Sequence, residues 1–423
     1  MIAADRTSTF PRFIDLAYPS IERGEGVWLY TTDGRQILDA SSGGAMTTNL
    51  GHGRRDLVDA AARQAEKIAY FYMDHFTNEP MEALADRLIS VAAPEMARVR
   101  FASSGSEANE SALRLARAYH VDRGEPDRWR VISFAQSYHG ATMATLALTG
   151  RRRTLQEPFT PYLSPHLHID RGAEALAELD ARIEEAGPGS VAAFFCEPVS
   201  GAALPGYSPP DDFWRGLDAR RRQHGFLVCF DEVVTGMGRA GSWFAYQQLP
   251  IEPDIVTVGK GLGAGYAPIS AVLCKQHVYD AIDRGSRFFD LGHTWDGAPI
   301  SCATGLAVLE ALVSEHVIER VRSRGPALLD ELRAALGGRH LARDVRGRGF
   351  LCGVSLVDLP DADHYDERIE AMALEHGLLV TTTHSTADGY TGDEIVFAPP
   401  LTSTDGELAM MLSRLASVLK ELE

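Results

Sequence analysis

The sequence predicts an α/β protein: a mostly parallel sheet with helices on both faces. Three features predict it. Short apolar runs recur between residues 99 and 273, helical stretches separate them, and glycine, proline or an acidic residue closes each run. Strands covered on both faces read as unbroken apolar runs, and alternation of strand with helix is the pattern of an α/β core. The runs are Val99-Arg100-Phe101, Val131-Ile132-Ser133-Phe134, 191–196, 226–230, 255–258 and 269–273. Residues 106–122 carry Ala108, Ala112, Leu115, Ala116 and Tyr119 at near-helical spacing, and 301–313 is a second helix rich in alanine and leucine. The last third changes character. Residues 317–336 read as a helix, 345–356 as strands and 404–422 as a terminal helix. Near the start, Gly26-Val27-Trp28-Leu29-Tyr30 and Arg35-Gln36-Ile37-Leu38-Asp39 flank Asp33-Gly34 as a hairpin. The expected division is a large domain at 66–320 and a smaller one formed jointly by 1–65 and 321–423.

Composition narrows the function. The 423 residues are 45% hydrophobic and 23% charged, ordinary for a soluble enzyme. With 58 acidic and 41 basic residues the net charge is −17, which repels nucleic acid and anionic lipid. The five cysteines are scattered, mostly in apolar runs, and read as buried reduced thiols of a cytoplasmic protein. No signal peptide and no membrane-spanning run is read. His166 and His168 sit at alternate strand positions without a carboxylate cluster, so no metal site is expected.

Four segments carry chemistry, and each alone has an ordinary explanation. Val256-Thr257-Val258-Gly259-Lys260-Gly261 delivers one lysine from an apolar strand into a glycine turn. Such a lysine is a surface residue or an amine nucleophile with a lowered pKa. Phe230-Asp231-Glu232-Val233 ends a buried strand in two carboxylates, where open sheets bind ligands. The acid there is a cap, or a partner for a protonated ring nitrogen. Phe101-Ala102-Ser103-Ser104-Gly105-Ser106 leads a strand into a helix, as an N-cap or a phosphate cradle. Ser137-Tyr138-His139-Gly140 places an aromatic at a strand end, in the core or against a flat ring.

Taken in order, these segments supply a phosphate site, a stacking aromatic, a ring-nitrogen acid and an imine-forming lysine. Here the chain resembles the class III pyridoxal-phosphate aminotransferases, the group of ω-amine, ornithine and 4-aminobutyrate transaminases. The family's signature appears as Asp231-Glu232-Val233-Val234-Thr235-Gly236-Met237-Gly238-Arg239, with Lys260-Gly261, Tyr138-His139-Gly140 and Ser104-Gly105-Ser106. Asn49-Leu50-Gly51-His52, Glu197-Pro198, Gly292-His293-Thr294 and Ala398-Pro399-Pro400-Leu401 extend the match over nearly the whole chain. The resemblance implies a fold-type I enzyme, with a mostly parallel seven-stranded sheet and a smaller α+β domain. It implies pyridoxal 5'-phosphate as cofactor and ping-pong transfer between an amine or amino acid and a carbonyl acceptor. Lys260 is then the catalytic residue and carries the cofactor, and Asp231 pairs with the ring nitrogen. Tyr138 and Val233 cover the two ring faces. Ser104, Gly105 and Ser106 hold phosphate, and His139 and Glu197 complete the site. Thr294 would reach the phosphate of the neighbouring subunit in a homodimer with shared sites. A racemase, epimerase or decarboxylase using the same lysine is the alternative.

The chain departs from its relatives at the substrate. Many place a carboxylate-binding arginine just before the Ala-Pro-Pro-Leu segment, but residues 386–397, Gly389 and Val396 among them, contain none. The glutamate that ornithine-type relatives pair with that arginine is replaced by Ala202. Either another cation, one of Arg151, Arg152 and Arg153, serves a carboxylate, or the main substrate is an uncharged or bulky amine or aldehyde. A triple-arginine run is most often a solvated face. The small residues Ser41-Ser42-Gly43-Gly44-Ala45-Met46 suggest a roomy pocket.

Overall fold

The computed structural model describes residues 8–14, 16–357, 365–388 and 391–423. Its centre is a seven-stranded sheet. The strand order is Met96–Ala102, Ser270–Lys275, Ile255–Val258, Leu227–Asp231, Val191–Cys196, Arg130–Phe134 and Leu167–Ile169. Ile255–Val258 through Leu167–Ile169 pair in parallel. Ser270–Lys275 runs antiparallel to both its neighbours, so two reversals return Met96–Ala102 to the common direction. The carboxyl ends of Met96–Ala102, Arg130–Phe134, Val191–Cys196, Leu227–Asp231 and Ile255–Val258 therefore open on one edge.

Burial on both faces explains why the apolar runs become strands. Val191–Cys196, Leu227–Asp231 and Ile255–Val258 are buried throughout. On one face Phe134, Phe194, Phe213, Trp214 and Phe230 pack ring against ring. On the other, Ala193, Phe195 and Cys229 pack with Ala112, Leu115 and Ala116 of helix Gly105–Asp122. Each large side chain so buried contributes about 1.5–3 kcal/mol. Every run read as a strand is present, shifted by up to three residues at its ends. Leu167–Ile169 is an edge strand of 3 residues, too short for its pattern to announce more than the alternate histidines.

The two ends of the chain meet beside this sheet. Trp28–Thr31 and Gln36–Asp39 form the expected hairpin, and Leu378–Leu379 adds to it in parallel. The Leu38 N–H donates to the Gly377 carbonyl at 2.8 Å, and the Ala398 N–H to the Ala40 carbonyl at 2.8 Å. Ala342–Arg348, Leu351–Leu356, Asp393–Phe397 and Thr381–His384 form an antiparallel sheet. Thr404 and Glu407 close a capping box at the start of helix Asp405–Leu422. Arg239 fastens these parts together: it donates to the Phe350 carbonyl at 3.1 Å, Ser42 Oγ at 2.8 Å and Asn49 Oδ1 at 2.7 Å. All five cysteines are buried and unpaired. Among the described residues, no single helix is long and apolar enough to cross a membrane.

Candidate active site

A cavity of about 130 Å³ lies at the sheet edge where the strand ends open, and Lys260, Asp231, Tyr138, Glu197 and Gly105 all line it. The sheet register puts the lysine and the acid there together. Asp231 pairs with Thr257 on the adjacent strand, so Lys260 follows a few residues beyond the same edge. Lys260 itself adopts φ 42°, a left-handed conformation that is costly for a side chain with a Cβ. Burial pushes its amine down to about 8, against the opposing pull of the Asp231 and Glu197 carboxylates.

Asp231 is buried but well supplied with donors. Its Oδ2 accepts from Asn109 Nδ2 at 2.8 Å and lies 2.9 Å from His139 Nδ1, while its Oδ1 accepts the Val233 N–H at 3.0 Å. A buried carboxylate with three donors avoids most of its desolvation cost. Asn109 is held in turn, donating to the His139 carbonyl at 2.7 Å and accepting from Thr257 Oγ1 at 2.6 Å. An ionised Asp231 also dictates a proton on His139 Nδ1.

The helix Gly105–Asp122 starts beside the cavity. Ser104 is its N-cap: Ser104 Oγ accepts the Glu107 N–H at 3.3 Å, and the Glu107 carboxylate returns the bond to the Ser104 N–H at 3.1 Å. Ser104 is exposed and does not line the cavity, so its hydroxyl serves the helix. Two positions beyond it are too tight for side chains. A Cβ at Gly105 would stand 2.7 Å from Val233 Cγ1, and one at Gly140, with φ +138°, would stand 2.6 Å from Ser106 Oγ. Bare backbone at a helix N-terminus is what a phosphate needs. The residues present thus match a phosphorylated pyridine aldehyde point for point: amine, buried acid, aromatic and anion cradle in one small cavity.

Glu197 is buried under Tyr138. It accepts the Gly201 N–H at 2.7 Å and the Tyr138 N–H at 3.4 Å, and Arg171 Nη2 lies 3.7 Å away. Thr294 stands apart. It is exposed, in the turn before helix Pro299–Ser314, and does not line this chain's cavity.

Two residues escaped the sequence reading. Asn109 sits one helical turn after Gly105, so spacing alone could have aimed it at the strand ends. Arg171 follows a short edge strand and carried no signal. The triple-arginine run, expected either as a solvated face or as the source of a substrate-binding cation, divides: Arg153 is exposed, but Arg151 turns inward over the Tyr138 ring, 4.7 Å from its centroid. The cause is local. Arg152 takes φ 57°, which reverses the chain between two neighbouring side chains. Residues 41–46 form a tight turn, with Ser41 Oγ donating to the Val396 carbonyl at 3.1 Å and Ser42 Oγ to that of Ala398 at 2.7 Å. Gly389 lies outside the described residues.

Known proteins fit this geometry. The Aminotransferase class-III family model matches residues 14–419. The hypotaurine/taurine–pyruvate aminotransferase of Paracoccus denitrificans (strain Pd 1222) is 31% identical, covering 96% of this chain and 93% of its own. An (S)-enantioselective omega-transaminase from Thermomicrobium roseum superposes with a TM-score of 0.88 at 33% identity, covering 96% and 93%. The omega transaminase of Pseudomonas jessenii, solved in complex with PMP, does so with a TM-score of 0.88 at 29% identity, covering 96% and 92%. Amine-transferring relatives favour aminotransfer over racemisation or decarboxylation. The chain belongs to the class III aminotransferases, fold-type I enzymes that depend on pyridoxal phosphate.

Proposed function

We propose that this chain is a cytoplasmic, homodimeric transaminase for a bulky amine or amino acid, with Lys260 as its catalytic residue. The carrying observation is the placement of the Lys260 amine and the thrice-donated Asp231 carboxylate on adjacent strand ends in one cavity. Bound pyridoxal phosphate supplies the electron sink for breaking a substrate C–H bond. Lys260 would hold the cofactor, and its Nζ, once free, is the base that would move the proton at the donor's amine-bearing carbon. Its lowered pKa leaves about a tenth of it neutral at pH 7. Asp231 keeps the ring nitrogen protonated, with His139 and Asn109 fixing its orientation. Tyr138 covers one ring face and Val233 the other. Gly105 and Ser106 hold the phosphate, and Glu197 supports Tyr138 from behind.

Dimerisation is supported by large exposed aromatics, two of them close to Thr294 in the chain. Phe288 is 69% and Trp295 57% exposed, flanking Thr294, and Phe76 is 67% exposed. On this reading Thr294 of the partner subunit completes the phosphate site. The smaller domain made of 1–65 and 321–423 is supported by the hydrogen bonds joining Leu38 to Gly377 and Ala40 to Ala398. Unpaired buried thiols suit a reducing compartment. The test is a half-reaction. Holoenzyme mixed with 1-phenylethylamine should lose its visible absorbance and release acetophenone in one equivalent, and pyruvate should restore the absorbance. Deuterium exchange into unchanged amine with no ketone would reject transfer.

A further inference from the structure

Arg151 is a cation just outside the cavity lining, at its mouth beside Tyr138, that the protein leaves half used. Its backbone is clamped. Gly150 before it approaches the Ala135 carbonyl so closely that a Cβ would stand 2.0 Å from that oxygen. After it, the Arg152 N–H donates to the Thr386 carbonyl at 3.2 Å and the Thr154 N–H to that of Ala387 at 3.0 Å. The side chain lies over Tyr138, and its Nη1 donates to the Ala202 carbonyl at 3.3 Å and to Thr383 Oγ1. Nε and Nη2, the other edge of the fork, donate to no group among the described residues.

Several other partly or fully buried arginines are treated differently. Arg346 meets Glu394 at 2.6 Å, Arg100 meets Asp296 at 2.7 Å and Arg171 faces Glu197 at 3.7 Å. Arg239 has no acid but uses both Nη1 and Nη2 on protein oxygens. Arg151 has no carboxylate within ion-pair distance among the described residues, although the chain carries a net charge of −17. Arg152 and Arg12 stand close enough to add to the positive field there. A cation fixed against a residue that lines the cavity, with one planar edge unspent, is suited to a planar two-oxygen anion.

We propose that the Nε–Nη2 edge of Arg151 binds the carboxylate of a substrate above Tyr138, making this residue the specificity anchor for oxo-acid acceptors and amino-acid donors. Because one site serves both half-reactions, a bulky neutral amine and a small oxo acid are accommodated in turn, the latter held by its charge. The inference rests on the transaminase reading.

Arg151→Gln removes the charge while keeping an N–H for Ala202 and Thr383. Starting from the aminated holoenzyme, pyruvate and propanal are compared as acceptors of equal carbon count. The variant should lose about 10- to 100-fold in the rate constant over KM for pyruvate, with propanal changed by less than about 3-fold. Arg151→Lys should recover part of the pyruvate loss. Parallel loss on both acceptors, or no loss on either, overturns the proposal. A second readout needs no turnover. Propionate, an unreactive carboxylate, should bind wild-type holoenzyme in calorimetry and bind Arg151→Gln at least about 10-fold more weakly. Equal affinities also overturn it. Propionate binding that depends on Arg151 in a protein that transfers no amino group would keep the anchor and reject the transaminase reading.

Discussion

At the floor of the cleft Asp231 receives Asn109, His139 and a backbone N–H, all delivered by the central sheet and the helix and turn that follow its strands. At the mouth Arg151 touches Tyr138, Ala202 and Thr383, and its neighbour leans on Thr386. The floor is fixed by strand register, so its acid is bonded three times over. The mouth joins segments more than two hundred residues apart through single contacts, and part of its hydrogen-bonding capacity stays unspent. Chemistry common to all substrates needs the first kind of construction, and choice among substrates needs the second.

Experiments can break or sharpen that contrast. Lys260→Ala should remove borohydride-trapped cofactor from the chain in mass spectrometry and lower single-turnover aminotransfer by at least about 10³-fold; residual wild-type-like turnover would end the floor's claim to the chemistry. Asn109→Ala comes next. It strips a donor from buried Asp231 and leaves Thr257 Oγ1 unpaired, which should cost about 1–3 kcal/mol in thermal or urea unfolding. A neutral outcome would show that His139 and Val233 alone suffice.

Acidity probes the same place. Burial holds Lys260 near 8 rather than 10.5, so the folded apoprotein binds fewer protons there than the unfolded chain between those values. Its stability contribution from this group should therefore rise with pH from about 8 to 10.5 and be lost as pH falls through 8. Reconstitution with pyridoxal phosphate, which needs the neutral amine, should quicken as pH climbs to about 8 and then level off. Asp231→Asn removes a charge that raises the lysine's pKa, so the levelling point should move lower; an unmoved profile would uncouple the two strand ends. The smallest effect belongs to the mouth. Thr383→Val deletes one acceptor of Arg151 and should change pyruvate handling by less than about 5-fold with unfolding unaltered within about 1 kcal/mol.

Much of the floor was legible before any coordinates. Lys260, Asp231, Tyr138 and Gly105 each sit where an apolar strand gives way to a turn, and strand ends are where open sheets bind ligands. Asn109 was missed because an asparagine inside a helix is ordinarily a solvated residue, and only the fold shows which face meets the strand ends. Arg151 could not be told from Arg152 and Arg153 for a related reason: in a run of three arginines, nothing local distinguishes the inward one. Ser104 was credited with phosphate, yet its hydroxyl is committed to its own helix.

The sequence by itself determined the strands and the lysine, acid and aromatic at their ends, because those depend on local apolar patterning and on residue types at turns, and their combined likeness to a family implied the cofactor. Only the tertiary structure decided which polar groups hold Asp231 and which arginine faces the cleft. Those answers depend on register across the sheet and on one left-handed turn at Arg152, and on contacts between distant segments that no spacing along the chain encodes.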